Sequence, residues 1–250
     1  MFRVAAIGDL HIWGPIPEFL PAELDGLHER ADVLVVAGDI TNNGLITQAE
    51  RAAELLRRAK VPIIAVFGNH DRRTLRRRRY VETLERAGVT FLEGTTLTLG
   101  DRVSVGFAGV GGSGGGFWPD EGPDTIARRT SQLLAVRGRR EAARLDAALA
   151  GLDTDYRVVV THVAPTLTTC AGEPSAKFFL LGNSELARVI DRHEVDLVLH
   201  GHSHRGFPTG QTPGGTPVRN VAKNVVREMV YLELGDAPPA RAWRPVEASA

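Results

Sequence analysis

Polar side chains suited to metal binding occur in five short motifs of the sequence, each at the end of an apolar run. Imidazole, carboxylate and amide groups without a thiolate are the donors that manganese, iron, zinc, cobalt and nickel accept. A single motif of this kind is weak evidence, because one buried Asp or His is more often a hydrogen-bonded structural group. The motifs are GDLH, GDI, GNHD, THVAP and GHSH, and they contain Asp9, His11, Asp39, Asn69, His70, Asp71, His162, His202 and His204.

The placement of these motifs predicts that their side chains meet. Residues two apart in an extended segment point the same way, so Asp9 and His11 can face one site, as can His202 and His204. In open α/β sheets, ligands bind outside the carboxyl ends of the strands. A glycine precedes a polar group in four of the motifs, where it permits a sharp turn and close backbone approach.

The number of donors favours two ions over one, because a single ion that keeps an open position cannot use them all. Two divalent cations contribute a charge of +4, Asp9 and Asp39 subtract 2, and a bridging hydroxide subtracts 1. The remaining +1 would attract a phosphate ester. Paired metals roughly 3.5–4 Å apart can lower the pKa of a bridging water and stabilise both ends of a displacement at phosphorus.

The elements that must position these motifs are short apolar strands separated by helical segments. This alternation is typical of a sheet covered by helices on both faces. Two irregular segments, 109–123 and 163–183, lie beside strand ends, where they are either substrate loops or surface loops without a role. The sequence predicts strands at 2–7, 32–37, 62–67, 103–109, 157–161 and 196–200, helices at 17–30, 46–60, 74–87, 124–150 and 184–193, and closing antiparallel strands after residue 215.

Composition restricts the class of protein. We expect residues 1–250 to form one domain, since no linker divides the chain. The 30 basic and 30 acidic residues balance, so bulk charge indicates no polyanionic partner. One cysteine, Cys170, excludes an internal disulfide and a Cys-rich zinc site. The N-terminal segment is too short for a signal h-region and no run of eighteen apolar residues occurs, so we expect a soluble cytoplasmic protein without a membrane partner.

The run RRTLRRRR at residues 72–79 is the strongest basic cluster. It is either a nucleic-acid contact or a solvated helix face whose charges are balanced by Glu82 and Glu85. The solvated face is favoured, because no aromatic residue lies between the arginines for base stacking. Arg72 and Arg73, nearest to His70, are the candidates for contact with a phosphate.

In this order the motifs resemble the calcineurin-like metallophosphoesterase superfamily over residues 3–204. The resemblance implies a four-layer α/β/β/α fold, with a central β-sandwich of two mixed sheets flanked by helices. It implies two metal ions, the first held by Asp9, His11, Asp39 and His204 and the second by Asp39, Asn69, His162 and His202. By the same resemblance His70 binds no metal, and it acts near the scissile bond as an acid or stabiliser of the transition state. Asp71 either orients the His70 ring, caps the helix that follows, or is solvated.

The resemblance implies hydrolysis of a small phosphoester by a metal-bridging hydroxide. A catalytically silent interaction module is the alternative, and the intact ligand positions weigh against it. GDITNNG lacks the Asp-Arg pair of the protein Ser/Thr phosphatases, which weighs against that activity. The motifs look more like those of small bacterial phosphodiesterases, but THVAP departs from the form common among enzymes that cleave cyclic nucleotides. A phosphodiester is therefore favoured over a phosphomonoester, and no pattern indicates an oligomeric state.

Overall fold

The structure is a computed structural model that describes residues 1–122 and 129–235. The strands are β1 (Phe2–Ile7), β2 (Val33–Val36), β3 (Ile63–Ala65), β4 (Val89–Phe91), β5 (Thr95–Leu99), β6 (Val105–Val110), β7 (Tyr156–Thr161), β8 (Leu197–His200), β9 (Thr209–Gln211), β10 (Pro217–Asn220) and β11 (Val230–Leu234). The helices are α1 (Phe19–Asp25), α2 (Leu27–Arg30), α3 (Ile46–Leu56), α4 (Arg77–Glu85), α5 (Arg129–Ala150), α6 (Phe178–Leu181), α7 (Ser184–Ile190) and α8 (Lys223–Val226).

Two mixed sheets form the centre of the fold. The first has the strand order β11-β1-β2-β3-β4, in which only β11 is antiparallel to its neighbour. The second has the order β5-β6-β7-β8-β10-β9, with antiparallel strands at both edges. In each sheet the central parallel strands deliver their carboxyl ends to one edge, where the polar motifs follow.

The period-two alternation of buried strands explains the layers. In β1, Val4 and Ala6 face the second sheet, whereas Ala5 and Ile7 face helices α1 to α4. On the far side, the core between the second sheet and helices α5 and α7 includes residues such as Val159. Both faces of each central strand are therefore apolar, which confirms the expected helix–sheet–sheet–helix arrangement.

The predicted elements differ from the observed ones at strands β4 and β5, which were not predicted, and toward the C-terminus. The expectation of closing antiparallel strands is confirmed for β11, whereas β10 is antiparallel to β9 on one side and parallel to β8 on the other. The predicted helix at 124–150 is observed from Arg129, and residues 124–128 lie outside the described part of the chain. Segment 163–183 contains helix α6, which its composition did not indicate. Within residues 1–122 and 129–235, no helix is both long and apolar enough to span a bilayer.

Candidate metal centre

The motifs converge at one edge of the two sheets. The polar side chains form three overlapping groups whose donor atoms lie within 4.8 Å of one another. The groups are Asp9–His11–His204, His11–Asp39–His70 and Asp39–His162–His202. The eighth residue, Asn69, joins the last group because its Oδ1 lies 3.0 Å from His162 Nε2. The structure therefore brings together all eight predicted site residues, and the role of each one stays a prediction.

Asp39 lies between two sets of histidines. Its Oδ2 is 3.7 Å from His11 Nε2 on one side and 3.4 Å from His162 Nε2 on the other. Its Oδ1 accepts a hydrogen bond of 2.8 Å from the backbone N–H of His70. The carboxylate is buried and held by the neighbouring motif, so one of its oxygens is fixed toward both sets of histidines.

Asp9 has a similar arrangement on the other side of His11. Its Oδ2 accepts a hydrogen bond of 2.8 Å from the backbone N–H of His202, and its Oδ1 lies 2.9 Å from His204 Nε2 and 3.7 Å from His11 Nε2. Each aspartate thus uses one oxygen to join two motifs and directs the other toward imidazole nitrogens.

The backbone at these positions is not extended, contrary to the geometry expected from sequence. Asp9, His11, Asp39 and His202 have φ values of 57°, 46°, 50° and 68°, in the left-handed region. Such conformations are costly for residues other than glycine and concentrate at functional sites. The side chains of Asp9 and His11 face one site because of these turns, and not because of strand alternation.

Glycine permits the close approach of the motifs, as the sequence predicted. A Cβ at Gly68 would lie 2.0 Å from Oδ1 of Asp39, and one at Gly201 would lie 2.3 Å from Oδ2 of Asp9. Real Cβ contacts are never this short, so any side chain at Gly68 or Gly201 would displace an aspartate of the site.

Backbone carbonyls fix which nitrogen of His162 and of His202 faces the centre. His162 Nδ1 lies 2.9 Å from the Ala37 carbonyl and His202 Nε2 lies 3.2 Å from the Leu180 carbonyl. A carbonyl can only accept, so these nitrogens carry the hydrogen. The nitrogens left to bind a cation are therefore Nε2 of His162 and Nδ1 of His202.

A cation fits the polar atoms that the protein leaves without partners. Both ring nitrogens of His11 are buried and have no hydrogen-bond partner within the described residues, although buried polar atoms rarely remain unsatisfied. His11 Nε2 is equally far from a carboxylate oxygen of Asp9 and of Asp39. A positive ion between these three groups would satisfy the imidazole and both carboxylates.

The protonation states of the histidines differ within the cluster. Burial lowers the pKa of His11 to about 4 and that of His202 to about 4, so both rings are neutral near pH 7. Burial also disfavours charge on His162, but the negative charge of Asp39 outweighs it and raises the pKa of His162 to about 9. Burial would raise the pKa of Asp39, and its contacts with His162 reverse this and hold it well below the usual range.

His70 stands at the rim of the centre with a fixed ring. Its Nδ1 lies 2.6 Å from the Asn42 carbonyl, so Nδ1 carries a hydrogen. Its Nε2 lies 4.0 Å from Asp39 Oδ2 and 3.4 Å from Arg73 Nη2. The ring is partly exposed, in contrast to the buried His162. His70 can therefore present Nε2 to a molecule bound from solvent.

Asp71 does not orient His70, and it is neither solvated nor a helix cap. It is fully buried, and Oδ1 accepts hydrogen bonds from Thr41 N–H at 2.8 Å and from Tyr80 Oη–H at 2.6 Å. Oδ2 accepts from the backbone N–H groups of Ile40 and Gly68, each at 3.1 Å. Asp71 therefore joins the loop that carries Asp39 to the loop that carries Asn69 and His70, and burial raises its pKa.

Two contacts of the site come from residues that the sequence did not single out. Asn224, in helix α8, places Nδ2 3.2 Å from Nδ1 of His204. Tyr80, in helix α4, donates to Asp71 and contacts the Thr41 hydroxyl at 3.0 Å. Neither residue lies in a motif. The single tyrosine in the Arg-rich helix α4 was the only feature of the sequence that could have pointed to either contact.

The arginines of residues 72–79 face several directions. Arg78 pairs with Glu82 at 2.8 Å, as expected for a solvated face, and Arg73 approaches His70. Arg72 instead turns away from the metal centre, where it pairs with Glu93 and Glu141 at 3.5 and 3.1 Å. Arg72 is therefore not in a position to contact a phosphate beside His70, contrary to the expectation from the sequence.

A cluster of imidazole, carboxylate and amide groups that could hold metal ions thus lies at one edge of a two-sheet sandwich. The calcineurin-like phosphoesterase family matches residues 2–206, which is most of the chain. The chain belongs to this family, which uses divalent metals.

The relatives support this class without defining the substrate. A stretch of 50 residues is 40% identical to the glycerophosphodiester phosphodiesterase GpdQ of Enterobacter lignolyticus, over 20% of this chain and 18% of that relative. The structure of TT1561 of Thermus thermophilus superposes with a TM-score of 0.59 at 17% identity, and covers 97% of both chains. Purple acid phosphatase PPD1 of yellow lupin superposes with a TM-score of 0.53 at 14% identity, over 97% of this chain and 46% of that chain. The two structures show a shared fold.

Proposed function

We propose that this protein is a phosphoesterase that depends on two divalent metal ions, with phosphodiesters as its preferred substrates. The observation that carries the proposal is the position of the Asp39 carboxylate between His11 and His162. A buried oxygen that faces two sets of imidazoles is suited to be shared by two cations. The first would be held by Asp9, His11, Asp39 and His204, and the second by Asp39, Asn69, His162 and His202.

Bound there, two ions would lower the pKa of water and stabilise the charge that develops on a phosphoryl group. The protein itself fixes the donors. The aspartates are held by the backbone N–H groups of His70 and His202, and the rings of His162 and His202 by backbone carbonyls. Because these groups are already oriented, little reorganisation accompanies binding of metal or substrate.

His70 is the group placed to transfer a proton. The Asn42 carbonyl engages Nδ1, so a proton given to a leaving oxygen would come from Nε2, which faces the centre. Arg73 lies beside the same nitrogen, where its guanidinium can contact a phosphate oxygen. Proton transfer by a positioned side chain contributes on the order of 10²–10⁴-fold to the rate.

The preference for diesters is supported by the local similarity to a glycerophosphodiester phosphodiesterase. Hydrolysis assays test the substrate class directly. The purified chain should be assayed with bis(nitrophenyl) phosphate, nitrophenyl phosphate and a glycerophosphodiester, each with manganese, iron, zinc, cobalt, nickel and magnesium in turn. The proposal requires metal-dependent hydrolysis that is faster for the diester than for the monoester. Absence of hydrolysis with every metal would contradict the proposal and is the result that a catalytically silent interaction module predicts.

A further inference from the structure

A second polar cavity lies behind the turn that carries His70. It has a volume of about 520 Å³ and is lined by five arginines and two glutamates. The arginines come from three parts of the chain: the turn Asp71–Arg73, helix α4 and helix α5. They are Arg72, Arg77, Arg137, Arg140 and Arg144.

The charges in this cavity do not balance. Arginine stays protonated at every physiological pH, so the five arginines contribute +5 and Glu93 and Glu141 contribute −2, which leaves +3. Glu93 pairs with Arg77 at 3.1 Å, and Glu141 pairs with Arg137 at 3.2 Å. Within the described residues, no carboxylate lies at ion-pair distance from Arg140 or Arg144.

Buried polar atoms at the base of the cavity also lack partners. Arg72 is largely buried, and its Nε has no hydrogen-bond partner in the described part of the chain. Oε2 of the buried Glu141 is also unsatisfied there, but a carboxylate oxygen only accepts hydrogen bonds, so this atom calls for a donor such as water and not for an anion. Unsatisfied buried groups are uncommon in folded proteins, and a bound ligand or water normally supplies the missing partner.

Glycines bring the arginines close to the backbone that forms the wall. A Cβ at Gly111 would lie 2.5 Å from Nη2 of Arg72, and one at Gly94 would lie 2.7 Å from Cβ of Arg144. The guanidinium of Arg77 stacks over the Phe67 ring with its Cζ 4.4 Å from the ring centroid. These contacts restrict several arginine stems, which reduces the entropy lost when the guanidinium groups bind a ligand.

We propose that this cavity is an anion site, distinct from the metal centre, that binds a small ligand carrying two phosphate groups. A phosphate monoester carries about −1.5 to −2 charges at neutral pH, so two phosphate groups match the +3 of the cavity. Guanidinium groups bind phosphate oxygens through paired N–H donors. Among the described residues that line the cavity, none is aromatic, so they offer no ring on which successive bases could stack.

The site would communicate with His70 through a single turn of the chain. In Asp71–Arg73, Arg72 faces the cavity while Arg73 approaches the His70 ring. A ligand bound to Arg72 would therefore act on the loop that positions the proposed acid. Binding itself does not depend on metals, so this proposal can be tested separately from the phosphoesterase activity.

The test is titration calorimetry with inorganic pyrophosphate and the full chain, after metals and chelator have been removed. We expect one pyrophosphate per chain, with an affinity that falls as salt is added. The double variant R140A/R144A should lose at least about tenfold in affinity. The control R78A/R79A removes the same charge from the neighbouring helix, outside the cavity, and should change the affinity less than about twofold.

Three results would overturn the proposal. Pyrophosphate could fail to bind at millimolar concentration, or the control could lose as much affinity as R140A/R144A, which would indicate attraction by net charge alone. A short single-stranded oligonucleotide is the second titrant. The third result is that the oligonucleotide binds the wild type and loses affinity in R140A/R144A, while pyrophosphate does not bind. The cavity would then be a nucleic-acid contact and not a site for a small ligand. Circular dichroism of both variants checks that these exposed substitutions leave the fold intact.

Discussion

The Nε2 atom of His162 and the Oδ2 atom of Asp39 lie 3.4 Å apart in a buried part of the protein. Because the charge of Asp39 raises the pKa of His162 to about 9, the metal-free protein holds a proton between these residues at neutral pH. The proton occupies the position that the proposed cation would take. Metal and proton therefore compete for the same site.

We predict that metal binding at pH 7 releases about one proton per chain from His162. Apparent affinity should rise about tenfold per pH unit until it levels off near pH 9. Calorimetric titration of zinc in two buffers with different ionisation enthalpies measures the number of protons released. An equal heat in both buffers at pH 7 would show that His162 is neutral before metal binds.

The stability of the metal-free protein should have a maximum near pH 6.5. His11 and His202 have pKa values of about 4, below that of an unfolded histidine, so the unfolded chain binds more protons and stability rises with pH from 4 to 6.5. The pKa of His162 is raised, so its contribution is complete below pH 6.5 and is lost as pH rises through 9. Urea unfolding at several pH values, with chelator present, measures this profile. Stability that still increases between pH 6.5 and 9 would contradict the assignment for His162.

Replacement of Asp71 should weaken both the fold and the metal centre. In Asp71→Asn, one acceptor becomes an N–H donor that faces other donors, which should cost about 1–3 kcal/mol of unfolding free energy. Metal affinity should fall as well, because Asp71 joins the loops of Asp39 and Asn69. The control Tyr80→Phe removes one hydrogen bond and should cost about 1 kcal/mol. Asp71→Asn with wild-type stability and metal content would show that the link is dispensable.

Asn224 should contribute to metal affinity by orienting His204. If a cation binds at Nε2 of His204, Nδ1 carries a hydrogen, and the Asn224 amide, whose Nδ2 lies 3.2 Å from Nδ1, must turn so that its Oδ1 accepts that hydrogen. Asn224→Ala should lower metal affinity about tenfold, whereas Asn224→Asp keeps an acceptor oxygen and should retain affinity. Competition with a chromogenic chelator provides the affinities. If both variants bind as the wild type does, the contact has no role in holding His204.

His70 should affect turnover without affecting metal content. His70→Ala should lower hydrolysis of a diester with an alkyl leaving group by about 10²–10⁴-fold, because that leaving oxygen must be protonated. Hydrolysis with a nitrophenolate leaving group should fall less, because that group leaves without a proton. Equal losses for the two substrates would remove the role as acid, and an altered metal content would indicate that His70 is a ligand.

The sequence predicted the site better than it predicted the contacts that support the site. The strand-end motifs identified the residues that converge, because strand ends on one sheet edge are close in any fold of this type. The sequence could not reveal that Asp71 is hydrogen-bonded to Thr41 and Tyr80, because these contacts depend on how helix α4 packs beside the loops. The same limit applies to Asn224, which is distant in the sequence from every motif.

The errors in the predicted fold have a related cause. The strands after residue 215 were expected to be antiparallel from their turns and β-rich composition, but β10 is antiparallel only to β9 and pairs in parallel with β8. Composition defines a strand without defining its partner. The left-handed backbone of Asp9 and Asp39 was also not predicted, because non-glycine residues adopt it only when surrounding contacts impose it.

The most direct test of the central claim is electron paramagnetic resonance of the manganese-loaded protein, combined with metal analysis. If Asp39 is shared by two cations, the wild type should hold two manganese ions per chain and give an exchange-coupled signal. Asp39→Asn should lose that coupling and at least one of the ions. A wild-type protein that binds a single ion, or two ions without magnetic coupling, would contradict the account.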